Sequence, residues 1–283
     1  GDTTTTLATA IAGFYLGVSV GHVEAGLRTH DLYAPFPEEF NRQVASKVTR
    51  WHFAPTAMSR DNLLAEHVPL SSVTVTGNTV IDALRWVLAR IDSDPERSIT
   101  LDAALDEVLR FKWKDENFVL VTGHRRENFG DGFLRICAAI RDLALRYAEV
   151  HFVYPVHLNP NVRKPVNELL AGLNNVHLID PLEYEPFVYL LQYAHLVLTD
   201  SGGIQEEAPS LGKPVLVMRD VTERPEAVDA GTVELVGANQ ARIVAGVSRL
   251  LDDEAHYAAM SRAHNPYGDG SACKRIVDVL RTI

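Results

Sequence analysis

The 283-residue chain predicts an α/β protein built from parallel sheets covered by helices. Three observations predict it. Short apolar runs rich in Val, Leu and Ile recur along the chain, segments with helical spacing separate them, and loops marked by glycine or proline follow them. Runs of this kind are strands buried on both faces, and the helical segments are the crossovers that parallel strands require.

Taken in order, the opening Gly1–Ala10 stretch is a turn leading into a helix, with the threonines at 3–6 supplying capping oxygens. Val18–Val23 predicts a strand, 40–48 a helix, 51–54 a strand, and 59–66 a helix behind Pro55-Thr56. A strand over 73–76 and a helix over 80–91 complete this first alternation, which has too few strands for a full doubly wound sheet. Residues 93–116 are charged and only loosely periodic, so they predict a boundary or a peripheral helix. A second alternation follows, with strands at 118–121, 151–154, 176–179, 196–199, 215–218 and 233–236. Helices over 132–147, 161–173, 186–193, 203–211 and 225–229 lie between them. This half reads as a complete Rossmann-like domain.

Composition excludes several classes. Lys and Arg number 27 against 37 Asp and Glu, a net charge of −10 that repels nucleic acid, so any anionic ligand must be met by local basic clusters. No apolar run approaches the ~20 residues of a membrane span, and no basic-then-apolar leader opens the chain. Only Cys137 and Cys273 occur, far apart and without metal-ligand spacing, which fits a reduced, cytoplasmic setting.

Chemistry is expected just beyond the carboxyl ends of the strands. After the strand ending at Thr199 comes Asp200-Ser201-Gly202-Gly203-Ile204-Gln205-Glu206-Glu207. Its glycines present backbone N–H groups at a helix start, a seat for phosphate, and Glu207 one turn later can accept both hydroxyls of a ribose. A plain strand-to-helix turn is the competing reading. Gly123-His124-Arg125-Arg126-Glu127 concentrates donors at another strand end, where His124 can donate to phosphate oxygen or protonate a leaving phosphate. An Arg126–Glu127 surface pair is the alternative. Arg224 precedes Pro225 and suits bidentate phosphate contact, or else pairs with Glu223 or Glu226. In the loop 180–187, backbone groups near Leu182 and the ring of Phe187 suit a base, although an aromatic there also suits a core. The first half offers acids: Asp2, Glu24 and Glu38. Carboxylates at separate strand ends serve proton transfer at carbon when their pKa values are set apart, while acids ahead of a helix also act as caps. His157 is either a site residue or a loop histidine.

These residues carry a resemblance. Gly1-Asp2-Thr3-Thr4-Thr5, Gly21-His22-Val23-Glu24-Ala25-Gly26-Leu27-Arg28, Pro37-Glu38-Glu39, Thr76-Gly77-Asn78-Thr79, Gly123 to Glu127, Asp200 to Glu207, Glu223-Arg224-Pro225-Glu226 and His264 to Gly270 resemble the non-hydrolysing bacterial UDP-N-acetylglucosamine 2-epimerases, in order and over essentially the whole chain. The resemblance implies a GT-B-type fold of two Rossmann-like domains facing a cleft, the first lacking its leading strand-helix units. It implies boundaries at 1–92 (sugar and acid/base side), a connecting segment 93–117, a UDP-binding domain 118–262, and a C-terminal helix 263–283 packing back on the first domain. The family interconverts UDP-GlcNAc and UDP-ManNAc for cell-surface polysaccharide precursors, eliminating UDP and adding it back with inversion at C2. Neither nicotinamide nor a catalytic metal takes part, nucleic acid and membrane are not partners, and a homodimer is the expectation. Asp2, Glu24 and Glu38 then resemble the acid/base carboxylates, and His124 the diphosphate-contacting catalytic histidine. Ser201, Gly202 and Gly203 resemble the phosphate turn, Glu207 the ribose ligand and Arg224 the phosphate arginine. Leu182 and Phe187 would flank uracil, with only a backbone contact at Leu182, where relatives commonly carry glutamine. The family's leading Gly-Thr-Arg-Pro-Glu loop has no counterpart here, so the chain reads as one that keeps UDP affinity and loses most turnover. A GT-B glycosyltransferase and a UDP-binding module without turnover are the alternatives.

Overall fold

In the computed structural model, which describes residues 2–123, 125 and 128–282, the chain divides into two units. Unit 1 comprises Gly1–Arg85, Val221–Glu226 and Pro266–Ile283; unit 2 comprises Trp86–Asp220 and Ala227–Asn265. No helix among the described residues is long and apolar enough to cross a membrane.

Unit 1 is a three-stranded parallel sheet in the order β1 (Val20–Val23), β2 (Thr49–Ala54), β3 (Val73–Val75). Val23 lies opposite Phe53, and Phe53 opposite Thr74. Helices α1 (Thr4–Tyr15), α2 (Glu38–Val48) and α3 (Ala57–Ala65) accompany the strands. α2 starts two residues ahead of the predicted helix, and β1 starts two residues later than its apolar run, because Val18 turns outward at 60% exposure. Thr56 caps α3 by accepting from the Ser59 N–H at 3.0 Å. Phe53, Ala54, Leu63, Ile81 and Leu84 are fully or nearly fully buried, each of the larger ones worth about 1.5–3 kcal/mol relative to exposure. Gly26 lets the loop after β1 lie against α3: its φ is +95°, and a Cβ there would stand 2.1 Å from the Ser59 carbonyl oxygen. Asn62 completes this contact by donating to the Gly26 carbonyl at 3.0 Å.

The helix α4 (Thr79–Asp92) leaves unit 1 at Arg85. The loosely periodic segment that follows is a true helix, α5 (Pro95–Val108), capped by the Asp94 side chain on the Arg97 N–H at 3.2 Å with Pro95 in the first turn. It belongs to unit 2 and buries only Leu101 and Leu105 along its length.

Unit 2 carries a six-stranded, wholly parallel sheet: β4 (Phe118–Thr122), β5 (His151–Pro155), β6 (Val176–Ile179), β7 (Leu196–Thr199), β8 (Val215–Val217) and β9 (Val233–Leu235). Each stands within a residue of its predicted position. The order is β6-β5-β4-β7-β8-β9, so the chain winds one way from β4 and the other way from β7. The crossovers are α6 (Asp131–Arg146), α7 (Pro160–Leu170), α8 (Tyr184–Tyr193), α9 (Ile204–Ser210) and the short α10 (Pro225–Asp229); α11 (Gln240–Asp252) and α12 (Glu254–Ser261) follow the last strand. Val119, Val121, Phe133, Ile136, Ile140, Phe152, Leu196, Leu198, Leu216, Ile243 and Val247 form one buried cluster between sheet and helices. The last helix, α13 (Ala272–Leu280), returns to unit 1, where Asp82 of α4 accepts from the Ala272 and Cys273 N–H groups at 3.0 and 2.8 Å.

Candidate active site

In unit 2 the two central strands β4 and β7 flank the point where strand order reverses, and there the crossovers depart to opposite faces and leave the strand ends open. Thr122 and Thr199, one at the end of each strand, join hydroxyls at 2.6 Å. Thr199 also accepts from the Ser201 N–H at 2.9 Å, which starts the Ser201-Gly202-Gly203 turn ahead of α9. Gly203 has an ordinary helical φ of −62°, and a Cβ there would meet only Glu207 Oε2, at 3.8 Å. The fold itself therefore does not demand glycine at 203, whereas a ligand approaching the backbone would.

Glu207 is 5% exposed, and burial pushes its carboxyl above the usual glutamate value while a hydrogen bond from Tyr184 pulls it back. That bond runs from the Tyr184 hydroxyl to Oε1 at 2.8 Å. Tyr184 opens α8, and Phe187, three residues on, shares its helix face. Phe187 and Leu182 are both half-buried, so neither has been absorbed into the core. The loop after β6 is thus tied to the turn after β7.

Asp200, wholly buried, holds the loop after β4: its Oδ2 accepts from the Arg125 N–H at 2.9 Å and from Asn128 Nδ2 at 3.2 Å. His124, Arg126 and Glu127, at the heart of that loop, lie outside the described residues. Exposed His157 accepts the Asn159 N–H at 3.1 Å on its Nδ1, a loop-shaping task.

In unit 1 the acids fall into two clusters. Asp2, 3% exposed, has both oxygens engaged, Oδ1 with His22 Nε2 at 3.0 Å and Oδ2 with Arg42 Nε at 3.1 Å. Burial alone would raise its carboxyl, but the His22 hydrogen bond and charge, with the Arg42 charge, outweigh it and hold Asp2 below the usual carboxylate value. Asn41 of α2 fixes the backbone by donating to the Asp2 carbonyl at 2.9 Å. Glu38 is the first residue of α2; it makes no cap, and its Oε2 is buried without a hydrogen-bond partner among the described residues. Neighbouring Glu39 is the structural acid, accepting from the His30 N–H at 3.1 Å and from Gln43 Nε2 at 2.9 Å.

The second cluster surrounds Glu24, the residue after β1, whose backbone takes the left-handed conformation with φ +65°. Its Oε1 accepts from Asn78 Nδ2 at 3.0 Å and from Arg224 Nη2 at 3.2 Å. Arg224, 5% exposed, also donates to Glu223 Oε1 at 2.5 Å, so both readings of this arginine meet: a buried guanidinium clamped between two carboxylates. It clusters with unit 1, beside the acid, and not with the Gly turn of unit 2.

The structure therefore gathers Ser201, Gly202, Gly203 and Glu207 in unit 2, ties the Leu182–Phe187 loop to them, and in unit 1 pairs Glu24 with Arg224 and sets Asp2 and Glu38 around α2. Asp200, His22 and Asn78 stand within the sequence motifs without a task there, and Tyr184 and Arg42 were not singled out. Each acts on a partner distant in sequence; the one signal was polar residues repeatedly adjoining candidate acids.

Two Rossmann-like units with a glycine turn and a buried acid at the switch point define a GT-B-type α/β protein. The chain belongs to the UDP-N-acetylglucosamine 2-epimerase family, whose model matches residues 1–281. A UDP-N-acetylglucosamine 2-epimerase of Yersinia pestis is 61% identical over 281 residues, 99% of this chain and 74% of that protein. One from Escherichia coli (strain K12) is 60% identical with the same coverage. Among solved structures, the Neisseria meningitidis UDP-GlcNAc 2-epimerase bound to UDP-GlcNAc superimposes with a TM-score of 0.95 at 51% identity, covering 100% of this chain and 75% of that one. The Methanocaldococcus jannaschii enzyme in complex with UDP-GlcNAc and UDP gives 0.85 at 33% identity, covering 100% of this chain and 74% of that one.

Proposed function

We propose that the chain interconverts UDP-GlcNAc and UDP-ManNAc without hydrolysis. The observation that carries this reading is the 60–61% identity, over 99% of the chain, to relatives named for the reaction. Unit 2 takes the nucleotide: the amides of Ser201, Gly202 and Gly203 with His124 on the diphosphate, Glu207 on the ribose, Leu182 and Phe187 about the uracil. Unit 1 takes the sugar, with Arg224 on a phosphate oxygen and Asp2, Glu24 and Glu38 around C2.

The chemistry follows from what each group can do. A carboxylate removes the C2 proton, the C1–O bond breaks, and UDP leaves a 2-acetamidoglucal. UDP then returns to C1 while a proton is delivered to the opposite face of C2. Arg224 and His124 offset the charge that collects on the leaving diphosphate. Asp2, held ionised by His22 and Arg42, suits the role of proton acceptor, and Glu24 is coupled to phosphate because Arg224 serves both. The proposal extends to a cytoplasmic homodimer, a setting that suits the unpaired thiols Cys137 and Cys273.

The test is incubation with UDP-GlcNAc in D₂O, followed by NMR. Deuterium at C2 together with UDP-ManNAc is the expected result. UDP binding without exchange would reduce the chain to a binding module; free N-acetylmannosamine would make it a hydrolysing enzyme.

A further inference from the structure

We propose that Tyr184 is a specificity-determining residue that acts through Glu207 and sets the preference of the nucleotide seat for ribose over 2′-deoxyribose. The proposal rests on the reading of Glu207 as the ribose acceptor.

A carboxylate that receives two sugar hydroxyls must be anionic and aimed. Glu207 is buried, which works against its charge, and the Tyr184 hydrogen bond is the contact that works for it. The Tyr184 hydroxyl occupies one lone pair of Oε1 at 2.8 Å, which fixes the carboxylate's orientation and leaves the remaining lone pairs for incoming donors. Oε2 stands on the Gly203 side, 3.8 Å from where a Cβ of that residue would be. Burial and the adjacent Glu207 charge push the tyrosine hydroxyl well above its usual value, so it stays a donor throughout the working pH range. Tyr184 is itself 42% exposed and is no member of the buried core cluster, so core packing does not account for its place at the head of α8. Without it, a buried glutamate loses both its orientation and its support as an anion, and charge-assisted bonds to sugar hydroxyls weaken.

The test measures dissociation constants of the full chain for UDP and 2′-deoxy-UDP by calorimetry, in the wild type, Tyr184→Phe and Glu207→Gln, with thermal melting to verify folding. The wild type is expected to favour UDP by about tenfold or more, the scale of a hydrogen bond to a charged group. Tyr184→Phe is expected to narrow that ratio at least ~threefold, mainly through weaker UDP binding, with KM for the UDP-sugar rising by a larger factor than kcat falls. The ratio should also decline on acidification, with its midpoint at higher pH in Tyr184→Phe, a shift that a purely structural tyrosine would not produce. Equal weakening of both ligands, or no change, overturns the proposal while leaving Glu207 as ribose ligand if Glu207→Gln still collapses the ratio. An unchanged ratio in Glu207→Gln removes the ribose assignment and this proposal with it, and absent UDP binding removes the functional reading itself.

Discussion

Glu38 and Glu39 are neighbours of one residue type whose side chains the fold engages differently. Glu39 is fully buried and its Oε1 joins the His30 backbone to Gln43 of α2, whereas Glu38 is half-buried and makes no such tie; each keeps an Oε2 without a hydrogen-bond partner among the described residues. Glu39→Ala should therefore lower stability by about 1–3 kcal/mol, read from denaturant midpoints, because it removes a fully buried side chain and orphans two part-buried donors. Glu38→Gln should leave that midpoint nearly unchanged and cut turnover by ~100-fold or more, the scale of a lost general acid or base. The residue types were legible in Pro37-Glu38-Glu39, but which glutamate is structural was not, since the deciding partner, His30, lies on a separate loop. The same holds for Tyr184, which sits inside a motif where the aromatic Phe187 drew attention and where Glu207 lies 23 residues away.

Elements were more legible than their attachments. The strands of unit 2 could be placed from β-branched runs alone, because burial on both faces leaves few polar interruptions. α5 could not, since its narrow apolar stripe of Leu101 and Leu105 leaves a mostly charged surface without clear periodicity. α13 is held by a cap borrowed from another helix: its own Ser271 makes no side-chain cap, and Asp82 of α4 accepts its first amides. Asp82→Ala should cost about 1–2 kcal/mol, seen as a lower melting temperature with UDP affinity retained. At the opposite ends of the strands from the Gly turn, His151 at the start of β5 and His177 in β6 meet at 2.9 Å under the Phe111 ring, with Glu116 on the far nitrogen of His151. Burial first, then the neighbouring His151 charge, lower His177 to about 4. A neutral histidine in the fold that ionises near 6.5 when unfolded binds fewer protons folded than unfolded. Its contribution is intact above about pH 6.5 and is lost as pH falls towards 4, with a slope of at most ~1.4 kcal/mol per pH unit. His177→Asn should flatten the melting temperature against pH across that window.

At the scale of the whole molecule, the two units divide labour as the residues do. Unit 2 has a large continuous core and a sheet whose strand order reverses between β4 and β7, where the proposed nucleotide seat lies. Unit 1 has three strands and engages its candidate acids in polar pairs, Asp2 with His22 and Arg42, and Glu24 with Arg224. Ligand binding to the folded state should show in melting curves: UDP at a hundredfold excess over its dissociation constant adds about 2.7 kcal/mol. Glu207→Gln should shrink that gain at the same UDP concentration. The strand-helix alternation and the net charge of −10 were legible from the sequence. The membership of Val221–Glu226 in unit 1 was not, because those residues lie within a run of sequence that otherwise belongs to unit 2.

The left-handed backbone of Glu24 has a consequence for anyone who breeds this protein for heat resistance. A residue with a Cβ costs about 1–2 kcal/mol in that conformation, and glycine escapes it. Glycine at 24 would relieve that strain but take from the buried Arg224 guanidinium one of its two carboxylates, a loss of about 3–5 kcal/mol, so libraries screened for survival at high temperature should keep an acid there. Heat selection therefore preserves, for reasons of stability alone, the same side chain that the proposed chemistry at C2 would use.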